Sequence, residues 1–251
     1  MNQHNVTSVS GFLQIVEQEK KAEEATGNNE DFLFRGQRED KKLLPRLGRL
    51  VPRGQRRDIE LLMFNEFKRT SLTLLSLQPH NDWDFLAVAQ HFGLPTRLLD
   101  WTYSALAALW FAVEREPAKV NDLKQNGVVW ILKTQIEDFA DETACGPFDV
   151  KTTAIYRPRV ITQRIVAQAG VFTVHHVKES EGIVVFETNK RFKGRLLKCV
   201  VDGSSFAQIR KQVNACGVNR STLFPDLAGL CDHLTWRYTR LPDEYSELAS
   251  S

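Results

Sequence analysis

Apolar residues in the first half of the chain recur mainly at the spacing of an α-helix. Phe12, Ile15 and Val16 share one face of such a helix, charged residues occupy the opposite face, and Gly27 interrupts the pattern. Three further stretches keep this period and are bounded by residues that cap or stop helices. The pattern therefore predicts helices over Ser10–Glu24, from Asp58 to Pro79, from Asp82 to Gly93, and from Asp100 or Thr102 to about Glu114.

The second half of the chain changes character, because its apolar runs are short, rich in β-branched residues and separated by Gly, Asn and Asp. A similar short run, Phe32 to Phe34, occurs earlier and predicts a strand that ends at Arg35. The later runs predict strands of one sheet, and helical spacing returns before a mostly polar tail. These strands are expected at 128–132, 171–174, 183–186 and 196–201, and the late helices at 205–215 and from 226 to about 236.

These elements predict a single α+β domain with a mainly helical first half and a mixed or antiparallel sheet in the second half. The chain has 251 residues, of which 42% are hydrophobic, enough for one substantial core or two modest ones. No internal repeat or linker divides it. We expect an N-terminal helical segment over residues 1–30, packed on a domain that spans residues 31–240, and a polar tail over residues 241–251.

Charge and hydropathy narrow the class of protein. The net charge of +2 gives no global reason to bind a polyanion. The longest uncharged apolar stretches have 13 residues, and a membrane span needs roughly 18. The first residues also lack the pattern of a secretory signal. We therefore expect a cytoplasmic protein with no membrane contact.

Generic signatures of nucleotide-binding and metal enzymes are absent from the sequence, which contains no GxGxxG, GxxxxGK[ST] or HExxH. His175 and His176 are adjacent, so on a strand they would point to opposite faces. Cys231 and His233 have no obvious second pair of metal ligands. We expect no bound metal.

The first polar cluster stands where the early strand ends. Arg35 precedes Gly36 and Gln37 there. A guanidinium at a strand end suits a phosphate or pyrophosphate, and the glycine would let a ligand approach the backbone. The alternative is a structural arginine that pairs with a carboxylate such as Asp100.

The second polar cluster, residues 90–102, is dense in His, Arg, Asp and Trp. A turn of this kind presents polar groups to a cleft, although the same residues could form a buried network in which Asp100 caps a helix and Arg97 neutralises it. Further along, Arg164 and Gln168 are four residues apart and share one helix face. They could grip one ligand together or tie their helix to the sheet.

These clusters belong to four sequence blocks that resemble the bacterial FRG domain family, which is named for the Phe-Arg-Gly found here at residues 34–36. The blocks occur in the family's order and extend over about four fifths of the chain. The last block departs from the family pattern, because Ala228 stands where members often carry a second Asp. The blocks are FRGQ at 34–37, QHxGxPTRLLDWT at 90–102, RIxxQxGxF at 164–172 and LFPDLxGL at 223–230.

The resemblance implies a role in bacterial defence or toxin–antitoxin systems and kinship with ADP-ribosyltransferases. It implies NAD as the substrate, for which such a transferase needs an arginine at the pyrophosphate, a clamp for nicotinamide, and a carboxylate or amide that stabilises an oxocarbenium-like transition state. On this interpretation the NAD-binding residues are Arg35, Gly36, Gln37, Thr96, Arg97, Asp100, Thr102 and Arg164, and the catalytic candidates are His91, Gln168, Glu187 and Asp226.

A local basic stretch, residues 38–58, holds eight basic residues against three acidic ones. It could bind RNA or DNA as the acceptor of the transfer, or form an ordinary solvated surface. An antitoxin or regulatory protein is a further expected partner. Two alternatives to the transferase are a non-catalytic module that binds a nucleotide or a partner, and a metal-independent nuclease that uses His91. The arginines expected at the nucleic acid are Arg46, Arg49, Arg53, Arg56 and Arg57.

Overall fold

The computed structural model describes residues 3–27, 30–75, 78–115, 119–120, 123–159, 163–178 and 182–245. Its α-helices are α1 Val9–Glu24, α2 Arg56–Thr70, α3 Asp82–His91, α4 Ala105–Val113, α5 Gln163–Ala167, α6 Phe206–Ala215, α7 Arg220–Leu223 and α8 Leu227–Tyr238. Its strands are β1 Gln3–Val6, β2 Phe32–Gln37, β3 Leu98–Thr102, β4 Lys119–Val120, β5 Leu123–Lys124, β6 Gly127–Lys133, β7 Ala154–Tyr156, β8 Gly170–Val174, β9 Val177–Lys178, β10 Gly182–Ile183 and β11 Leu196–Val201.

Seven strands form one mixed sheet in the order β1-β11-β6-β2-β3-β8-β7. β1 runs parallel to its neighbour β11, and the other pairs are antiparallel. The chain is a single α+β domain, as the sequence predicts. The division into a helical first half and a sheet-forming second half is too simple, because β2 and β3 come from the first half and lie in the middle of the sheet.

The third strand, β3, differs most from its predicted structure. The sequence predicts the start of a helix at Asp100 or Thr102, whereas the structure pairs Leu98–Thr102 with β8 along its whole length. The helix begins only after Ser104, whose hydroxyl oxygen accepts a hydrogen bond from Ala107 N at 3.1 Å. The strand lies between two neighbours and is largely buried, and this pairing is not visible in the local spacing of apolar residues.

Alternate residues of β2 face two different cores. Phe32 and Phe34 pack toward α1, α4 and α6, while Leu33 belongs to the core on the other side of the sheet. Phe186 and Phe192, from the segment between β10 and β11, cover that second core. A third apolar cluster joins α2 and α3 to β7 and β8. The central strands are therefore covered on both sides.

The predicted helices agree with the structure apart from their bounds. α1 begins after Ser8, whose hydroxyl oxygen accepts a hydrogen bond from Gly11 N at 3.1 Å. α3 ends just before Gly93, whose φ of +90° suits a residue without a side chain. α2 stops at Thr70, well before Pro79. None of the described helices is long and apolar enough to span a membrane.

The predicted strands at 128–132, 171–174 and 196–201 correspond to β6, β8 and β11. The strand predicted at 183–186 is wrong beyond its first residue, because only Gly182–Ile183 pairs, with β9, and Phe186 begins a 3₁₀ turn. α1 packs in the same core as α4 and α6. The domain bounds at residues 30 and 240 stay a prediction, and residues 246–251 of the expected tail lie outside the described residues.

Candidate functional site

A cavity of about 340 Å³ opens where β2, β3 and β8 meet α3 and α5. Its volume lies in the range of small-molecule binding sites. With the exception of Phe111 on α4, every lining residue comes from the blocks at 34–37, 90–102 and 164–172. Three segments that are distant in sequence thus converge on one concave site.

Arg35 enters the cavity from β2. Its Nη1 donates a hydrogen bond to the main-chain oxygen of Asp100 at 2.6 Å and lies 3.7 Å from the Asp100 Oδ2 atom. Burial lowers the pKa of the guanidinium, an effect that Asp100 opposes and the nearby Arg49 reinforces. The buried Nε atom of Arg35 has no hydrogen-bond partner in the described part of the chain. The side chain as a whole is 18% exposed, so the accessible part of the guanidinium can meet an anionic ligand.

Asp100 is the one carboxylate among the described residues that line the cavity. Gln90, at the end of α3, donates from Nε2 to both carboxylate oxygens, at 3.2 and 3.1 Å. The Thr96 hydroxyl in turn donates to Gln90 Oε1 at 2.7 Å, which fixes the direction of the amide. The Asp100 side chain is 57% exposed, so this chain of hydrogen bonds orients a carboxylate that still faces the cavity.

His91 follows Gln90 at the end of α3 and lines the same cavity. Burial lowers its pKa, and the positive charge of Arg164 lowers it further, whereas Asp100 and Asp226 act in the opposite direction. A histidine with a lowered pKa is neutral near pH 7. His91 can therefore accept a proton or a hydrogen bond from a bound molecule.

The short helix α5 brings Arg164 and Gln168 to the cavity. The Arg164 guanidinium stacks over the Phe224 ring at 4.0 Å from its centroid. Burial lowers the pKa of Arg164, and the positive charge of Arg220 adds to the effect. Gln168 donates from Nε2 to the main-chain oxygen of Leu223 at 3.1 Å. Both side chains thus line one site, and Gln168 also ties α5 to α7.

Thr102 joins three elements around the cavity. Its hydroxyl donates to the main-chain oxygen of Gln168 at 2.6 Å and accepts from Ser104 N at 2.9 Å.

Apolar walls complete the site, with Phe34 and Trp101 from the strands and Phe111 from α4. The arrangement combines two guanidinium groups, one carboxylate and aromatic surfaces, which suits an anionic ligand with a planar ring.

The structure does not bring Arg97 into the cavity. Its guanidinium is 1% exposed and pairs with Glu60, Nη2 to Oε2 at 2.7 Å and Nε to Oε2 at 3.0 Å. Nη1 donates to the main-chain oxygen of Phe148, whose ring it also faces. Arg97 was expected to bind NAD or to neutralise Asp100, but its role here is to connect β3 to α2. Thr96 is likewise buried, and its hydroxyl donates to Gln90 and accepts from Leu98 N.

Three more of the expected site residues also lie elsewhere. Gln37 accepts a hydrogen bond from Trp130 Nε1 at 2.9 Å, and Glu187 Oε2 accepts one from Leu43 N at 3.0 Å. Asp226 caps α8, because its Oδ1 accepts from Gly229 N at 2.7 Å. None of the three lines the cavity, although Asp226 is close enough to influence His91 and Arg164.

Gly36 lines the cavity but serves packing first. A Cβ atom at this position would lie 1.8 Å from the main-chain oxygen of Ala108 and 2.9 Å from Ala112 N. The glycine is therefore needed for the close approach of α4 to β2. The expectation that it makes room for a ligand is corrected accordingly, since helix backbone fills that space.

Seven lining residues are not among the site residues expected from the sequence: Phe34, Gln90, Trp101, Phe111, Ile165, Gly170 and Phe172. Two of them are informative. Gln90 stands in the recognised block beside His91, and only its contact with Asp100 shows that it matters. Phe111 is one of several apolar residues of α4, and helical spacing gave no signal that this one faces the cavity.

Some arginines of the basic stretch have partners within the protein and others face solvent without one in the described part of the chain. Arg46 donates to the main-chain oxygen of Gly93 at 2.7 Å, and Arg56 to those of Leu47 and Leu50. Arg57 lies 4.0 Å from Asp149. Arg49 and Arg53 are exposed. Arg49 is also close enough to influence Arg35, so the basic surface adjoins the cavity.

The fold is an α+β domain whose cavity is lined by residues from four regions of the chain. A sequence model described as the FRG domain matches residues 30–121. The chain therefore carries an FRG domain, and the resemblance carried by the blocks at 34–37 and 90–102 is confirmed over this range. No curated protein and no solved structure matches the chain.

Proposed function

We propose that the cavity binds NAD as a substrate and that the protein transfers ADP-ribose from it to an acceptor. The observation that carries this proposal is the convergence of Arg35, Arg164 and Asp100 on one aromatic-walled cavity. Two guanidinium groups suit a pyrophosphate, and the walls suit a planar ring. A carboxylate beside them suits the positive charge that develops on the ribose when the glycosidic bond breaks.

The proposed reaction assigns a role to each group. Arg35 and Arg164 hold the pyrophosphate, and Gln90 orients Asp100 toward the ribose. The bond between the ribose C1′ atom and the nicotinamide nitrogen breaks, and nicotinamide leaves with the bonding electrons. The acceptor then forms a bond to C1′, and neutral His91 takes the proton that the acceptor loses.

The proposal changes which carboxylate is favoured. Asp226 and Glu187 are the candidates from the sequence, but Glu187 is held by the backbone at Leu43 and Asp226 caps α8. Asp100 lines the cavity and lies beside Arg35. We therefore place the catalytic carboxylate at Asp100, with Asp226 acting through its charge at the cavity margin.

The acceptor is proposed to be RNA or DNA held by the exposed part of the basic stretch, because Arg49 adjoins Arg35. A transferase of this kind would act inside the bacterial cell as a toxin or a defence component. An antitoxin or regulatory protein would then be expected to control it.

A second candidate function, a non-catalytic nucleotide-binding module, is favoured by one observation. Asp100 is already engaged by Gln90 and Arg35. In that arrangement the carboxylate can serve to hold Arg35 in place for a phosphate without taking part in a reaction.

Nicotinamide release separates the two functions. The purified chain is incubated with NAD, with and without RNA, and NAD binding is measured by calorimetry. Asp100→Asn should lower turnover by roughly a hundredfold, as expected when transition-state charge stabilisation is removed. Glu187→Gln is the matched control and should retain turnover. Binding without release would support the module, and full turnover in Asp100→Asn would move the catalytic role away from Asp100.

A further inference from the structure

The last helix, α8, turns its polar side toward the protein. Asp232, His233 and Trp236 line a second cavity between α8, α4 and α6. Asp232 Oδ2 lies 3.2 Å from Arg220 Nε, and Trp236 Nε1 donates to Glu244 Oε1 at 3.1 Å. Polar contacts thus attach this helix to the domain. Most surface helices instead pack against the core with their apolar side.

The outward side of α8 is a row of apolar side chains. Leu227, Leu230, Leu234 and Tyr238 follow one another at intervals of three and four residues, which places them on one side of the helix. Their exposed fractions are 79%, 42%, 40% and 78%. In the described part of the chain, each of the other helices has at most one large apolar side chain that is 40% exposed or more. A contiguous apolar row of this kind is typical of an interaction surface.

We propose that this apolar row pairs with the same row of a second copy of the chain, with the two α8 helices antiparallel about a two-fold axis. With the axis near the middle of the helix, Leu227 of one copy lies opposite Tyr238 of the other. Leu230 then lies opposite Leu234. The row is self-complementary in this register, as a two-fold interface requires.

Two charges beside the row fit the same register. Asp226 is the N-cap residue of α8, and Arg237 lies in its last turn. In an antiparallel pair the N-terminus of each helix lies beside the C-terminus of the other, so Asp226 of one copy comes near Arg237 of the other, once at each end of the interface. The helix dipoles also oppose each other favourably. This charge complementarity favours a second copy over an unrelated partner.

The size of the contact predicts its strength. α8 has 12 residues, so it is about 18 Å long. We expect a pair of helices of this length to bury less than the roughly 1,200 Å² of a stable interface. We expect a reversible dimer with a dissociation constant on the order of micromolar. Pairing would also place Arg237 of the second copy near Asp226, whose charge influences His91 in the first cavity.

Sedimentation equilibrium of the full chain over a concentration series tests the pairing. The average mass should rise from the monomer value of 28.7 kDa toward twice that value. Leu234→Glu should stay monomeric throughout, because it places a carboxylate against Leu230 of the second copy. Leu74→Glu is the matched control: its side chain is 84% exposed outside α8, and association should be unchanged. Circular dichroism shows whether each variant is folded.

Two further measurements test the register. Arg237→Glu should weaken association by about tenfold, because it replaces two attractive pairs with repulsive ones, while Arg237→Lys should keep it. Cys231 is exposed on α8 and close to the proposed axis, so a short bismaleimide should link two copies in a Cys216→Ser background. A chain that is monomeric at every concentration, a Leu234→Glu variant that associates normally, or the absence of this cross-link would overturn the proposal.

Discussion

At the scale of single residues, two arginines of the recognised blocks have opposite roles. Arg35 lies in the cavity with its side chain 18% exposed, whereas Arg97 is 1% exposed and pairs with Glu60. A charged group with remaining hydrogen-bonding capacity can recognise a ligand. A buried pair instead makes the structure depend on both partners, since the loss of one leaves the other charge uncompensated.

His175 lies behind the site and shows how a residue can sense pH without reaching solvent. It is 1% exposed, and its Nε2 lies 3.0 Å from the Thr173 hydroxyl oxygen. That oxygen also accepts a hydrogen bond from Trp101 Nε1 at 3.1 Å, so His175, Thr173 and Trp101 form one buried network. Burial lowers the pKa of His175 to about 3, and Arg97 and Arg35 act in the same direction.

This lowered pKa predicts a loss of stability in weak acid. The unfolded chain, with a histidine pKa near 6.5, binds the proton more readily than the folded chain does. The contribution of neutral His175 to the free energy of unfolding is therefore fully present above pH 6.5 and declines as the pH falls toward 3. Between pH 7 and pH 5 the contribution of His175 to the free energy of unfolding should fall by about 2 kcal/mol.

Urea denaturation at the two pH values measures this effect. His175→Gln keeps an acceptor for Thr173 but cannot titrate, so its stability should change less between pH 7 and pH 5 than that of the wild type. His80, which is exposed, provides the control His80→Gln, which should behave as the wild type does. Equal pH dependence in His175→Gln and the wild type would contradict the prediction.

At the scale of elements, the contact between α4 and the sheet positions the cavity. Two glycines on the neighbouring strands β2 and β6 make this contact possible: Cβ atoms at Gly36 and Gly127 would lie 1.8 and 2.8 Å from the main-chain oxygens of Ala108 and Ala112. Phe111, on the same helix, forms part of the cavity wall. The distance of α4 from the sheet therefore sets the shape of the site.

Gly36→Ala should destabilise the fold by about 1–3 kcal/mol or more, because the added methyl group collides with helix backbone that cannot rotate away. Gly194→Ala is the matched control, since nothing lies within 4 Å of a Cβ atom there. It should change the free energy of unfolding by less than about 0.5 kcal/mol. Thermal and urea denaturation of both variants provide the measurement, and a Gly36→Ala variant as stable as Gly194→Ala would show that α4 can move away freely.

At the scale of the whole molecule, the net charge of +2 conceals an uneven distribution. The basic stretch reaches the margin of the cavity, but Arg46 and Arg56 are engaged by main-chain oxygens. Arg49 and Arg53 are exposed, and within the described residues no hydrogen bond or ion pair engages them. Binding of a polyanion would therefore depend on these two more than on the number of basic residues in the stretch.

Arg49→Glu combined with Arg53→Glu should weaken binding to single-stranded RNA and flatten its salt dependence, by a log–log slope of about 0.7 for each phosphate that the protein no longer neutralises. Fluorescence anisotropy at several salt concentrations measures both quantities. Lys20→Glu with Lys21→Glu on α1 changes the net charge equally and is the control. If both double variants bind RNA equally weakly, only the total charge matters and the surface has no specific role.

The elements that can be predicted from the amino-acid sequence are those with local signals. Caps, glycine stops and periodicity placed α1, α3, α6 and α8, and β-branched runs placed β6, β8 and β11. The sequence blocks also identified most residues of the cavity, including Arg35, His91 and Arg164. These predictions succeed because capping and patterning act between residues close together in the chain.

Which polar groups share the site depends on contacts between segments that are distant in the chain. β3 became a strand because β2 and β8 pair with it from either side, which no local pattern encodes. Arg97 was drawn into the core by Glu60 on a distant helix, and Glu187 was held by the backbone at Leu43. Asp100 instead remained facing the cavity. The position of each buried side chain is set by a hydrogen-bond partner that is distant in sequence, because a buried charge is stable only where it is paired.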